Sequence, residues 1–177
     1  MRYSNIRTSV LSQFSVDGGN AVVPFILGAP GGGKSACARD VVNSLGIENV
    51  VEFTASLRDP VDVLGVPDNT GEYTRWVPPQ EFYSLRQGVG RAALILEELS
   101  DAPVPMQNAL CGVIYDRRAG NLQLSDNLFI IATGNRTEDK SGANRITSKL
   151  AGRVRRFDFT ESIDDWTVWA LDNNIDP

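Results

Sequence analysis

The sequence predicts an α/β fold: a three-layer sandwich in which helices cover both faces of a mostly parallel, five-stranded sheet. Two observations predict this class. Five short apolar runs rich in β-branched residues recur along the chain, and segments with helical spacing separate most of them. Such near-continuous apolar runs are typical of parallel strands, because both faces of a parallel sheet are buried. The chain has 177 residues, of which 42% are hydrophobic, so it is long enough for one such domain.

The predicted elements follow one another in a regular order. Strands are expected at 22–27, 50–54, 92–96, 128–133 and 154–159. Helices are expected at 35–45, at 104–117 and after Ser162, with a short helix at 80–87 and small hairpins near 68–71 and within 118–127. We therefore divide the chain into a helical lead-in at 1–20, an α/β core at 21–160 and the start of a C-terminal helix at 161–177.

A glycine-rich stretch, GAPGGGKS, connects the first predicted strand to the first predicted helix. Its spacing fits the phosphate-binding pattern G-x-x-x-x-G-K-[ST], in which backbone N–H groups and a helix N-terminus face a phosphate chain. Lys34 is expected to reach the β- and γ-phosphates, and the Ser35 hydroxyl is expected to take a magnesium position. The chain is therefore predicted to be a P-loop NTPase that binds a nucleotide through Gly28, Ala29, Pro30, Gly31, Gly32, Gly33, Lys34, Ser35 and Ala36.

Polar side chains follow two further predicted strands. Glu97 and Glu98 end the apolar run at 92–96, and Asn135 follows the run at 128–133. Magnesium needs oxygen ligands and a hydrolytic water needs a base, so one carboxylate can serve each need. The Asn135 amide can donate to the γ-phosphate or orient the attacking water. All three residues are expected at the carboxyl edge of the sheet, where ligands of such folds bind.

Three arginines lie close together near the last predicted strand: Arg153, Arg155 and Arg156. Alternation along the strand puts Arg156 on one face of the sheet and Arg155 on the other. Arg153 precedes the strand and is expected to project from the domain. A projecting arginine suits the γ-phosphate of a neighbouring subunit, as an arginine finger supplied in trans.

The composition excludes several classes of site and partner. A net charge of −5 and a pI of about 4.8 argue against a surface for nucleic acid. The absence of histidine removes histidine-based catalytic triads, and two cysteines alone cannot build a structural zinc centre. The N-terminal segment lacks the apolar core of a signal peptide, and no apolar run reaches membrane-spanning length. We therefore expect a cytoplasmic protein that has no membrane partner.

The motifs together resemble the MoxR-like branch of the AAA+ ATPases over nearly the whole chain. GAPGGGKS resembles the Walker A motif of that branch, LILEELSDAPVPMQNAL its Walker B stretch, ATGNR its sensor 1, and SKLAGRVRRF the segment of its arginine finger. LRDPVDVLGVP followed by RWVPP is similar to the region of its helix 2 insert. The pattern resembles MoxR-like ATPases of bacteria and of their phages, and it implies ATP and Mg²⁺ as cofactors.

The resemblance also implies roles for individual residues. Glu98 takes the place of the catalytic glutamate and Asn135 that of the sensor. Arg153 takes the place of the arginine finger, with Arg156 as a competing assignment because an Arg-Phe pair begins there. The usual Walker B aspartate is Glu97 in this chain, and its longer side chain alters its reach to the magnesium shell and predicts slow hydrolysis. The helical lid of an AAA+ module is expected to be missing or truncated, as in a piece of a longer protein.

By the same resemblance, the chain is expected to form a ring, commonly a hexamer, with ATP bound between subunits. It would hydrolyse ATP to remodel or activate a partner protein, often one that has a von Willebrand factor A domain. Two alternatives stay open: a binding or assembly module that ATP switches with little hydrolysis, and a DNA-directed AAA+ protein such as a helicase loader. The acidic composition argues against the second alternative.

Overall fold

The computed structural model describes residues 1–17, 22–139, 146–172 and 175. Along these residues the strands are β1 (Val23–Gly28), β2 (Asn49–Thr54), β3 (Val66–Asp68), β4 (Arg75–Val77), β5 (Ala92–Glu97), β6 (Arg118–Ala119), β7 (Leu122–Gln123), β8 (Leu128–Asn135) and β9 (Val154–Asp158). The helices are α1 (Tyr3–Asp17), α2 (Lys34–Ser44), α3 (Val61–Leu64), α4 (Gln80–Tyr83), α5 (Val104–Asp116), α6 (Ser148–Ala151) and α7 (Ile163–Asp172). Short 3₁₀ turns lie at Ala55–Leu57 and Thr137–Asp139.

A five-stranded sheet in the order β2–β5–β8–β1–β9 forms the centre of the fold, and its neighbouring strands all run parallel. Strand β1 lies between β8 and β9, so that Phe25 is in register with Ala132 on one side and Arg156 on the other. The five predicted strands are confirmed. The sheet that was predicted to be mostly parallel is parallel at every pairing of these strands.

Helices cover both faces of this sheet because its apolar side chains alternate between the faces. On one face, Ile26, Phe129 and Phe157 form a core cluster with residues of α1 and α2. On the other face, Phe25 and Leu94 form a second cluster with residues of α5. Burial of each such side chain contributes about 1.5–3 kcal/mol to folding. The predicted three-layer sandwich is therefore confirmed.

Two antiparallel hairpins, β3–β4 and β6–β7, lie outside the central sheet at the places where the sequence predicts them. The helix predicted at 80–87 is too long, since α4 ends at Tyr83. Beyond α4, the backbone N–H of Gln87 donates to the carbonyl of Gln123 at 3.0 Å. This stretch pairs with the segment around β7 instead of continuing the helix. The pairing joins residues far apart in the sequence, so the local spacing of apolar residues does not predict it.

The remaining helices begin and end close to the predicted positions. Helix α2 ends at Ser44, and the following Gly46 has a φ of 64° and donates its N–H to the carbonyl of Asn43 at 2.9 Å. Helix α1 lies in the predicted lead-in, while residues 18–20 of that segment lie outside the described part of the chain. In the part of the chain that the structure describes, no helix is long and apolar enough to cross a membrane.

Candidate functional site

The carboxyl edge of the sheet brings together the ends of three strands. Gly28 ends β1, Glu97 ends β5 and Asn135 ends β8. Gly28 and Asn135 are direct register partners, because β1 and β8 are neighbours in the sheet. The glycine-rich loop between β1 and α2 therefore lies beside the end of β8, at the edge where ligands of open α/β sheets bind.

The backbone of this loop depends on glycine at two positions. Gly31 has a φ of 76° and Gly33 a φ of 90°, both in the left-handed region that side chains with a Cβ rarely adopt. Among the described residues, apart from the adjoining residues of the chain, no atom lies within 4 Å of the place where a Cβ would stand at either glycine, so the backbone conformation is the constraint. Gly33 immediately precedes α2, which leaves the first N–H groups of that helix facing the loop.

Lys34 lies at the centre of the loop and is 9% exposed. Its ammonium donates to the carbonyl of Ala29 at 2.6 Å and to Oδ1 of Asn135 at 3.0 Å. Burial lowers the pKa of Lys34, and the carboxylates of Glu161 and Asp101 oppose that shift. A desolvated ammonium gains more from an anionic ligand than an exposed lysine does.

Asn135 is held in one orientation by three hydrogen bonds. Its backbone N–H donates to the Ser100 hydroxyl at 2.8 Å, and its side-chain Nδ2 donates to the Asp101 carboxylate at 3.0 Å. Its Oδ1 accepts the bond from Lys34. Sequence reasoning missed Ser100 and Asp101, although both lie within four residues of the two glutamates that it identified. Their position shortly after the two glutamates was the signal that the sequence offered. Their role is to accept the hydrogen bonds that orient Asn135 at the end of β8.

Glu98 lies with the loop in one cavity of about 310 Å³. Lys34, Ser35 and Asn135 line the same cavity. The backbone of Glu98 has a φ of 54°, an uncommon conformation for a residue with a side chain. Its carboxylate accepts a hydrogen bond from the Ser56 hydroxyl, which lies in the turn after β2. The structure therefore brings together five of the predicted site features: the loop, its lysine, its serine, the second glutamate and Asn135.

Glu97 turns to a different set of partners. Its carboxylate contacts the guanidinium of Arg39 on α2 at 3.2 Å and accepts a hydrogen bond from the Thr54 hydroxyl at 3.4 Å. The structure joins Glu97 to Arg39 rather than to Ser35, so the prediction that Glu97 and Ser35 share a magnesium position stays a prediction. Among the described residues, no group of three or more His, Cys, Asp or Glu side chains is placed to hold a metal.

Neither candidate arginine finger lines the cavity that holds Lys34 and Glu98. The carbonyl of Arg153 accepts a hydrogen bond from Val23 at the start of β1, and its guanidinium lies 4.8 Å from the centre of the Tyr115 ring. Arg153 is therefore at the amino edge of the sheet, opposite the loop. Arg156 forms an ion pair with Asp158 at 2.9 Å. It also lines a second cavity of about 400 Å³, which Asn135 lines as well.

A third cavity, of about 450 Å³, lies between the loop and α7. Tyr3, Trp166 and Trp169 line it together with Gly31 to Gly33. The Tyr3 hydroxyl and the indole N–H of Trp169 both donate to the Asp40 carboxylate, the latter at 3.1 Å. Burial and this carboxylate raise the pKa of Tyr3. Sequence reasoning missed this aromatic cavity, because its walls come from both ends of the chain.

The parallel sheet, the glycine-rich loop after β1 and the helix that follows it define a P-loop α/β fold. Among solved structures, a mutant of RuvB from Thermotoga maritima, an AAA+ P-loop ATPase, matches with a TM-score of 0.63 and 14% sequence identity. The match covers 92% of this chain and 47% of the RuvB chain, so this chain spans about half the length of that protein. No protein-family model matches the sequence, and no curated protein does. The likeness therefore concerns the fold.

Proposed function

We propose that the chain is the nucleotide-binding core of a MoxR-like AAA+ ATPase. It binds ATP with Mg²⁺ and hydrolyses it at the subunit interfaces of a ring, in order to remodel or activate a partner protein. The observation that carries this proposal is the convergence of Lys34, Glu98 and Asn135 on one cavity beside the glycine-rich loop. A cation, a carboxylate and an oriented amide are the groups that phosphoryl transfer to water requires.

The loop fits a phosphate chain. The left-handed glycines turn backbone N–H groups inward, and the N-terminus of α2 adds partial positive charge. The ammonium of Lys34 exchanges its bond to the carbonyl of Ala29 for a bond to a phosphate oxygen. Ser35 offers its hydroxyl to Mg²⁺, which neutralises charge on the phosphate oxygens when it is bound.

Hydrolysis needs a base and a fixed water. The Glu98 carboxylate takes the proton from the attacking water, whose oxygen forms the new bond to phosphorus as the bond to the ADP oxygen breaks. The Asn135 amide orients this water or the γ-phosphate, and its bonds to Ser100 and Asp101 hold it in place beforehand. Glu98 becomes available when it gives up its bond with the Ser56 hydroxyl.

The position of Arg153 supports a site that a neighbouring subunit completes. Val154 is in register with Val23, and the loop begins after Gly28. Five strand residues separate these levels, a distance of about 16 Å, which exceeds the reach of an arginine side chain. Arg153 therefore serves the loop of a neighbour, as in a ring with head-to-tail contacts. Arg156 is the competing finger, and comparison of the two single alanine variants separates them.

The surface around the β3–β4 hairpin supports the proposal of a protein partner. Large apolar side chains are exposed there, among them Val66 at 52%, Tyr73 at 74% and Trp76 at 48%. Clusters of this kind are typical of protein-interaction surfaces. The choice of a von Willebrand factor A domain as the partner, and of a hexameric ring, rests on the MoxR-like motifs.

Nucleotide binding is the first test. We expect Lys34→Ala to lose affinity for a fluorescent ATP analogue by a factor of about ten or more, since it removes the buried cation. Lys149→Ala, at an exposed lysine on α6, is the matched control and should bind normally. Glu98→Gln should keep binding and lose turnover, and normal hydrolysis by this variant would remove Glu98 from the catalytic role.

Ring assembly is tested by the dependence of hydrolysis on protein concentration. Specific activity that rises with concentration, and that Arg153→Ala or Arg156→Ala abolishes without loss of nucleotide binding, supports a site shared between subunits. Activity that is independent of concentration and of both arginines would contradict the shared site.

A second candidate function is favoured by the contact between Arg39 and Glu97. A Walker B carboxylate that is paired with a guanidinium has less charge to offer magnesium, so ATP would control assembly or partner affinity with little turnover. Tight ATP binding and ATP-dependent assembly, combined with hydrolysis that stays near the rate without protein, would favour this switch over the hydrolysing enzyme.

A further inference from the structure

Arg39, Glu52 and Glu97 form a polar cluster beside the site, with one residue each from α2, β2 and β5. Nε and Nη2 of Arg39 donate to the two carboxylate oxygens of Glu52, both at 2.7 Å. The same Nη2 donates to Oε1 of Glu97 at 3.2 Å. The guanidinium of Arg39 therefore binds two carboxylates, with two short hydrogen bonds to Glu52 and one longer bond to Glu97.

The cluster lies next to the expected magnesium position. Ser35 and Arg39 are four residues apart in α2, so they share one face of the helix at a spacing of about 5–6 Å between Cβ atoms. Glu97 is 14% exposed in its side chain, whereas those of Arg39 and Glu52 are 45% and 40% exposed. The carboxylate nearest the interior is thus the one that Arg39 holds by a single bond, and Arg39 itself lies about one helical turn after Ser35.

We propose that Arg39 is a positioning residue that competes with the divalent cation for Glu97, and that Glu52 sets the strength of this competition by drawing Arg39 away. The proposal rests on the proposed nucleotide site. Its basis is electrostatic: a guanidinium and a divalent cation cannot both be fully paired with the same carboxylate, and each weakens the hold of the other.

Two substitutions should change metal affinity in opposite directions. Arg39→Ala frees Glu97 and should tighten the binding of the cation by about threefold to tenfold. Glu52→Gln leaves Arg39 with Glu97 as its remaining charged partner and should weaken that binding by about twofold or more. A merely structural role of Arg39 would not produce effects of opposite sign.

The measurement is direct metal binding by the full chain with a non-hydrolysable ATP analogue bound, using Mn²⁺ as the probe and the EPR signal of free Mn²⁺ as the readout. Arg58→Ala is the matched control. Arg58 also forms an exposed ion pair, with Glu81 at 2.9 Å, but on the α4 side of the fold, so its loss should leave Mn²⁺ affinity unchanged. Affinity for the analogue without metal checks that each variant is folded.

The Glu97→Gln background shows whether Arg39 acts through Glu97. There the effect of Arg39→Ala should disappear, as expected for two residues in one interaction. Persistence of the effect would overturn the proposal, as would unchanged or weaker Mn²⁺ binding by Arg39→Ala in the natural background. If the natural protein binds no ATP analogue at all, the proposed function fails and this inference fails with it. If it binds the analogue and Mn²⁺ affinity ignores both Arg39 and Glu52, only this inference fails.

Discussion

Replacement of Gln107 by leucine should destabilise the protein through two backbone groups. Gln107 is fully buried in α5. Its Nε2 donates to the carbonyl of Ala102 at 3.1 Å, and its Oε1 accepts from the N–H of Thr147 at 2.9 Å. Its side chain thus links the turn after the two glutamates to the start of α6, which precedes Arg153. Leucine fills a similar volume but leaves both backbone groups without this partner.

The N–H of Thr147 loses the partner on Gln107, at a cost of about 1–3 kcal/mol, and the lost bond to the carbonyl of Ala102 contributes about 0.5–1.5 kcal/mol. Gln107→Leu should therefore lower the free energy of unfolding by about 1.5–4.5 kcal/mol, and the melting temperature by roughly 3–18 °C for a chain of this size. Urea and thermal unfolding followed by circular dichroism measure both quantities.

Asn108→Ala is the control for this change. Asn108 is the next residue of α5 but is exposed, so its truncation should alter stability by less than about 0.5 kcal/mol. A Gln107→Leu protein as stable as the Asn108→Ala protein would refute the reasoning, because it would mean that the two hydrogen bonds contribute nothing net.

Three further predictions concern the loop edge and the core. Gly134→Ala should cost about 1–3 kcal/mol of stability in urea unfolding, because its Cβ would stand 2.6 Å from the Ser100 hydroxyl oxygen; full stability would show that this packing yields freely. Asp101→Ala should lower ATP turnover by about tenfold while nucleotide affinity stays within about twofold, since it releases the Asn135 amide; equal turnover would mean that this hydrogen bond does not position the amide. Burial raises the pKa of Cys37 to about 12 from 9.0, so the unfolded thiol ionises first and stability should fall as pH rises from about 9 towards 12. Urea unfolding at pH 8 and pH 10 should show a smaller fall for Cys37→Ala than for the natural chain, and an equal fall would exclude the thiol as a contributor.

The strands and the phosphate loop could be predicted because their signals are local. Each strand is a short apolar run, and the loop is a spacing of glycines before Lys34 and Ser35 that permits the left-handed backbone at Gly31 and Gly33. Burial on both faces of the sheet then follows from the apolar runs, and the carboxyl edge follows from the parallel pairing.

The partners of the site carboxylates could not be predicted in the same way. Glu97 and Glu98 are adjacent, yet one contacts Arg39 and the other contacts Ser56. The difference depends on the left-handed backbone at Glu98, which turns the two side chains apart. Such a conformation, and the choice of partner across 40 residues or more of chain, arises from tertiary packing rather than from spacing. The aromatic cavity lined by Tyr3 could not be predicted for the same reason.

The place of β1 between β8 and β9 in the sheet has a consequence for folding. Both strands that pair with β1 come more than a hundred residues later in the sequence. Phe25 pairs with Ala132 in β8 and with Arg156 in β9. Contacts of such long sequence separation form slowly because the intervening chain must first be ordered. The phosphate loop that follows β1 therefore reaches its final geometry only when nearly the whole core is assembled.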